Sequence, residues 1–166
     1  MSSKPFILER IVDAPRDAVW TAWTDAGHLA KWFGPKGLAC EVRKLDLQPG
    51  GVFHYRLSDA EHGIEMWGKW IFREIAVKDR LVVEISFSDA QCGVTRHPFA
   101  ADWPMTTLST TTFADAGEDR TVVTTQWDTL NATAAEQAMF DNGHEGMNQG
   151  WGGMMDQFGE YLAKTR

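Results

Sequence analysis

The stretch TAAEQAMFDNGHEGMNQGWGGMMDQFGEYLAK, Thr133 to Lys164, decides the fold. Within it Phe140, Met147, Trp151, Met154, Phe158 and Leu162 follow one another at steps of 7, 4, 3, 4 and 4. Those steps keep apolar side chains on one face of a helix of about 3.6 residues per turn. His144 falls on the same stripe, between Phe140 and Met147. The start is marked by Thr133 three residues before Glu136, a pair whose hydroxyl and carboxylate satisfy orphan amides reciprocally as a capping box. A helix of roughly 30 residues is about 45 Å long, so its apolar face requires a long apolar surface to lie on. Gly143, Gly146, Gly150, Gly152, Gly153 and Gly159 weaken it, each by up to about 1 kcal/mol against alanine. They leave room for a bend or break between Gly143 and Gly153, or for close approach of another backbone.

Upstream of this stretch the chain supplies that surface. Phe6 to Val12 reads as a first strand, ended by Asp13-Ala14-Pro15. Pro15 suits a first helical turn, and Val19, Trp20 and Trp23 then share one side of a short helix. Thr24-Asp25 offers a second cap, Leu29, Trp32 and Phe33 form a second short apolar face, and Gly34-Pro35 stops it. From Leu38 the period changes to that of strands: Leu38 to Leu47, Val52 to Leu57, Ile64 to Ile75, Arg80 to Ser88, Met105 to Phe113 and Thr121 to Thr129. Phe53, Tyr55 and Leu57 alternate onto one face, as do Met66, Trp70 and Phe72, with Gly68 between them suggesting a bend or a close contact. The 16-residue connection Asp89 to Pro104 carries Phe99 and Trp103, whose aromatic character argues for an ordered segment. Consecutive strands joined by short turns predict an antiparallel meander, with one apolar face that the terminal helix must cover. The predicted fold is α+β: a curved antiparallel sheet of about seven strands around a long C-terminal helix, with two short helices after the first strand. Residues 1–166 read as one domain.

Composition narrows the partners. The net charge is −7, from 16 basic and 23 acidic residues, and no basic run of five appears, which argues against nucleic acid and anionic membranes. Cys40 and Cys92 form no CxxC motif and read as two free thiols. Met1 to Ile11 has no apolar core of signal-peptide type, and no run approaches 18 apolar residues. A soluble, cytoplasmic protein is the default expectation. Eight tryptophans serve both a core and the wall of an apolar pocket.

Taken in order, several short motifs form a recognisable series. Ala14-Pro15 leads into Val19-Trp20-Thr21-Ala22-Trp23-Thr24-Asp25, then Leu29 and Trp32-Phe33-Gly34-Pro35. Asp46 with Pro49-Gly50-Gly51 follows, then Trp67-Gly68, then Glu74-Ile75 with Arg80-Leu81-Val82. The close is Gly146-Met147 with Gly150-Trp151. This series, spanning about Phe6 to Leu162, resembles the SRPBCC (START-like) proteins described as Hsp-90 ATPase activator homologues. Arg96-His97-Pro98-Phe99-Ala100 and Asp102-Trp103-Pro104 resemble a subgroup feature of the same family. The resemblance implies the helix-grip fold, with a hydrophobic cavity between sheet and helix and no shared catalytic residue. It also implies a range of roles: lipid carriers, polyketide cyclases, ring-hydroxylase subunits and chaperone activators.

Dedicated catalytic and metal signatures are missing from the chain. His144-Glu145-Gly146-Met147-Asn148 departs from HExxH at its last position, and the five histidines share no ligand spacing. There is no GxSxG, and Pro49-Gly50-Gly51 lies between strands rather than opening a helix onto a phosphate. No metal, cofactor or catalytic residue is therefore expected. Arg96, His97 and Asp102 in the long connection read either as pinning it by ion pairing, the favoured reading, or as meeting a ligand at the mouth. The expected cavity lining is Phe53, Tyr55, Met66, Trp70, Phe72, His144, Met147, Trp151, Met154 and Phe158, with His144 and Tyr55 first to orient a ligand; the same residues would serve a filled core equally well, with His144 as a core histidine and Tyr55 structurally buried. The leading expectation is binding of a small or medium hydrophobic molecule in that cavity. Two alternatives stand beside it: an interaction module that modulates a chaperone ATPase, and a cyclase- or hydrolase-like enzyme using the same cavity. Exposed aromatics in the 89–104 connection leave a homodimer open.

Overall fold

In a computed structural model, residues 4–35, 37–98 and 100–165 are described. Phe99, read above as an ordering aromatic, lies outside the described residues. The chain runs through strand β1 (Phe6–Val12), helices α1 (Arg16–Thr24) and α2 (Ala26–Trp32), then strands β2 (Ala39–Leu45), β3 (Val52–Asp59), β4 (Ile64–Ala76) and β5 (Arg80–Ser88). A two-residue strand β6 (Val94–Thr95) follows, then β7 (Thr106–Asp115), β8 (Thr121–Thr129), α3 (Ala134–Asn142) and α4 (His144–Thr165). The strands form one antiparallel sheet in the order β1-β8-β7-β5-β4-β3-β2, with β6 paired to β5. Every neighbouring pair is antiparallel. This is the helix-grip α+β arrangement.

Register follows the alternation of apolar side chains. Phe6 pairs with Trp127 and Phe53 with Trp70, which places all four rings on the concave face. Irregularities between Val42 and Lys44, and between Phe72 and Glu74, add the local twist that curls the sheet. The opposite face of β1 leaves Ile7 and Ile11 exposed.

Helices α1 and α2 close one end of the concave face. Asp25 caps α2 by accepting from the His28 amide at 3.1 Å. Pro15 precedes the first helical residue of α1 in extended conformation rather than lying within the first turn. Between these helices, the sheet and α4, the interior is filled by rings. Trp32 packs at a tilt against Phe158 at 4.4 Å and Trp23 at 5.2 Å, and Trp70 packs against Phe33 at 5.4 Å and Phe53 at 5.0 Å.

The terminal stretch forms two helices where the stripe predicted one. The capping box is present: the Glu136 amide donates to the Thr133 hydroxyl at 3.1 Å, and the Thr133 amide to the Glu136 carboxylate at 3.0 Å. The interruption falls at Gly143, which caps α3 before α4 begins at His144. A Cβ at Gly143 would sit 3.0 Å from the Trp103 ring, so the missing side chain admits this tryptophan from the long connection. A Cβ at Gly152 would lie 2.9 Å from the Arg10 guanidinium of β1, the far end of a flexible side chain that can move aside. None of the helices among the described residues is long and apolar enough to cross a membrane.

Candidate functional site

The rings that fill the α1–α2 end do not extend the length of α4. Beside its N-terminal half a cavity of about 420 Å³ remains between helix and sheet, within the range of small-molecule sites. The sheet supplies Tyr55 and Leu57 from β3, Met66 and Gly68 from β4, Ile85 and Phe87 from β5, Thr107 from β7 and Trp127 from β8. The turn after α2 supplies Phe33, Gly34 and Pro35, and the long connection supplies His97, Trp103 and Pro104. The helical side is formed by Gly143, Gly146, Met147, Gly150, Trp151 and Met154. Among the described residues no Asp, Glu, Lys or Arg lines it.

The few polar side chains in this wall are tuned toward neutrality. Burial pushes the Tyr55 hydroxyl far above its ordinary value, so it stays protonated. Burial also lowers the pKa of His97, whose ring lies 4.5 Å from Phe87, and this favours the uncharged imidazole. Ser86 and Thr107 add hydroxyls and are themselves buried. The neighbouring thiol of Cys40 is pushed up to about 12, mainly by burial, which leaves it protonated and inert.

The long connection is fixed against α3. Arg96 pairs with the buried Glu136 carboxylate and also donates to the Ala101 carbonyl at 3.3 Å. The guanidinium of Arg96 holds the Glu136 carboxyl below the usual carboxylate range. At its other end the connection is pinned to the sheet, where His54 Nε2 lies 2.9 Å from the Asp89 carbonyl and Lys69 donates to the Cys92 carbonyl at 2.9 Å. Of the three residues expected to pin it, Arg96 does so, His97 faces the cavity, and Asp102 is exposed.

Of the ten residues expected to line the cavity, Tyr55, Met66, Met147, Trp151 and Met154 do. Phe53, Trp70, Phe72 and Phe158 are instead packed in the core. They share a face with the lining residues, but they sit nearer α1 and α2, whose tryptophans occupy the space. His144 is also displaced from the wall. Its ring lies 5.6 Å from Phe6 and 5.1 Å from Phe140, with Nε2 buried and without a partner among the described residues. Ile85 and Phe87 are lining residues that their alternation with Leu81 and Val83 made readable. His97, Trp103 and Thr107 depend on the path of the long connection and on register, which local pattern does not specify. In the turn between β3 and β4, Asp59, Glu61 and His62 place ligand-type atoms within 4.8 Å of one another. This turn is exposed at Glu61 and His62 and lies away from the cavity lining.

Gly68 explains how Tyr55 reaches its place. The two residues pair across β3 and β4, and a Cβ at Gly68 would fall 2.4 Å from the Tyr55 oxygen. The phenol therefore lies across a bare stretch of backbone. Gly68→Ala is expected to cost about 1–3 kcal/mol through overpacking, read as a lowered urea midpoint. A loss below about 0.5 kcal/mol would mean that the ring moves aside freely.

The family model described as "Activator of Hsp90 ATPase homolog 1-like protein" matches residues 13–163. No curated protein matches the chain in sequence. In fold the chain is similar to a protein from Arthrobacter aurescens, with 24% identity, 99% of this chain and 91% of that one covered, and a TM-score of 0.78. It is also similar to a protein from Mycobacterium smegmatis, with 22% identity, 95% and 90% covered, and a TM-score of 0.74. The AHSA1 protein from Silicibacter pomeroyi is similar at 15% identity, with 98% and 100% covered and a TM-score of 0.72.

Proposed function

This chain belongs to the activator of Hsp90 ATPase homolog 1-like family, and from that premise we propose that it binds a small or medium apolar molecule in the cavity beside α4. The observation that carries this reading is the cavity itself. About 420 Å³ stays open at one end of a concave face whose other end is filled with tryptophan and phenylalanine rings. Apolar walls without a charged side chain among the described residues favour an uncharged ligand body. Covering ~300 Å² of such a ligand at ~25 cal/mol per Å² supplies about 7 kcal/mol before ordering costs. The hydroxyl and imidazole side chains of the wall, Tyr55, Ser86, His97 and Thr107, are the groups that would orient it. Mass spectrometry of solvent extracts of the purified protein is expected to release the same apolar molecule from independent preparations. Repeated release of nothing, with the fluorescent probe N-phenyl-1-naphthylamine also left unbound, would sink the reading.

A second reading rests on the family's description as homologues of an Hsp90 ATPase activator. It predicts that adding this chain accelerates ATP hydrolysis by an Hsp90-type chaperone. An unchanged rate at saturating concentrations of the chain would remove it.

A further inference from the structure

Tyr55 carries a hydroxyl that the packing of the fold does not use. The residue is 7% exposed, and its ring lies among apolar rings, with Phe33 and Phe53 each at 4.9 Å. The indole N–H of Trp70 approaches the phenol oxygen but closes no hydrogen bond on it. An indole N–H only donates, so it offers nothing to the phenol proton. That proton has no acceptor among the described residues. Phenylalanine would keep every ring contact and avoid burying a hydroxyl without a partner. Tyr55 lines the cavity, however, so an acceptor can come from whatever enters it.

The geometry gives this proton a fixed direction. A phenol proton stays close to the plane of its ring, and the ring is held by Phe33, Phe53 and the bare backbone of Gly68. The serine and threonine hydroxyls of the wall differ, because they rotate to suit whichever acceptor is near. That of Ser86 already lies 3.3 Å from the Thr106 hydroxyl. Burial also holds the phenol in its protonated, donating form.

We propose that Tyr55 is a specificity-determining donor, and that the ligand is an apolar molecule with an uncharged oxygen acceptor, a ketone, ester or ether, placed against it. This rests on the reading of the cavity as a ligand site and adds the chemical class of what enters. The acceptor is uncharged because no Lys or Arg among the described residues lines the wall to balance a carboxylate. A pure hydrocarbon is selected against, since it leaves the phenol proton unpaired in a site closed to water.

The test compares the full chain with Tyr55→Phe, which removes the hydroxyl and keeps the ring. Two fluorescent probes are titrated into each: prodan, an uncharged naphthalene ketone, and N-phenyl-1-naphthylamine, which has no oxygen. In Tyr55→Phe the Kd for prodan is expected to rise about five- to tenfold, the loss of one hydrogen bond. The Kd for N-phenyl-1-naphthylamine is expected to stay within about twofold. The emission of bound prodan is expected to move to the blue, as it does when its carbonyl loses a donor. The Tm of the variant is expected to equal that of the parent chain within about 2 °C or to exceed it. Equal changes for both probes, or no change for prodan, would overturn this inference while leaving the cavity as a ligand site. A Tm lowered beyond that margin would overturn it too, by showing that the hydroxyl is satisfied within the protein. If the unsubstituted chain binds neither probe, the ligand-site reading fails and this inference falls with it.

Discussion

Trp32→Ala is expected to remove about 3–5 kcal/mol of stability, the range for truncating a buried large aromatic. Trp32 is 1% exposed, and its ring is enclosed by Phe158 at 4.4 Å, Trp23 at 5.2 Å and Phe33 at 5.8 Å. Its indole donates to the Ala22 carbonyl at 2.9 Å, tying α2 to α1, while its own carbonyl accepts from Gln157 of α4 at 2.8 Å. The substitution keeps the second of these bonds and loses the first, together with every ring contact. Domains of this kind hold about 5–15 kcal/mol in total, so the variant is expected to lie near its unfolding threshold. In urea the midpoint is expected to fall by roughly 2 M. Trp151→Ala is the informative companion. Trp151 packs at a tilt against Trp127 at 4.7 Å but is only half-buried and forms part of the cavity wall. It is expected to cost less than Trp32→Ala, and the reverse order would mean that the filled and open ends of the interior have been exchanged.

That division between ends is also where reading the sequence reaches its limit. The stripe from Phe140 to Leu162, the Thr133–Glu136 capping box and the alternation of Phe53, Tyr55 and Leu57 are local patterns, and local patterns were enough for the element order and the concave face. The same patterns could not separate Met154, which lines the cavity, from Phe158, one turn later, which is sealed in the core. Both lie on one helix face. What distinguishes them is the position of Trp23 and Trp32, set by how two short helices fold back across the sheet. His144 illustrates the same point. Its place on the stripe is real, but Phe6 and Phe140 take it up on either side. The break at Gly143 was foreshadowed by the glycines, whereas its cause, the inserted Trp103, comes from 40 residues upstream. β6 is two residues long and carries no periodic signal at all.

Gly51→Ala is expected to cost about 3 kcal/mol or more, for a reason that no side-chain adjustment can relieve. A Cβ at Gly51 would lie 2.0 Å from the Asp46 carbonyl oxygen and 2.9 Å from that of Gln48. Both obstacles are main chain, so relief requires the Asp46–Gly51 turn to open. That turn is held by its own bonds, Gln48 amide to Asp46 carbonyl at 3.0 Å and Gly51 amide to Gln48 carbonyl at 2.8 Å. It also docks on β4: the Gly50 amide donates to the Phe72 carbonyl at 2.7 Å, and the Phe72 amide to the Gly51 carbonyl at 3.0 Å. Phe72 borders the irregularity that bends β4, so opening the turn frees an edge of the curl on which the concave face depends. Overpacking alone costs about 1–3 kcal/mol, and two forfeited backbone hydrogen bonds add about 1 kcal/mol each. Gly50→Ala makes the contrast. Gly50 has φ +84, but a Cβ there meets nothing within 4 Å, so its cost is that of one residue held in the left-handed region, about 1–2 kcal/mol. Urea unfolding of the two variants is expected to rank Gly51→Ala well below Gly50→Ala in stability. Equal losses would mean that backbone conformation, not the Asp46 carbonyl, is what requires glycine at Gly51.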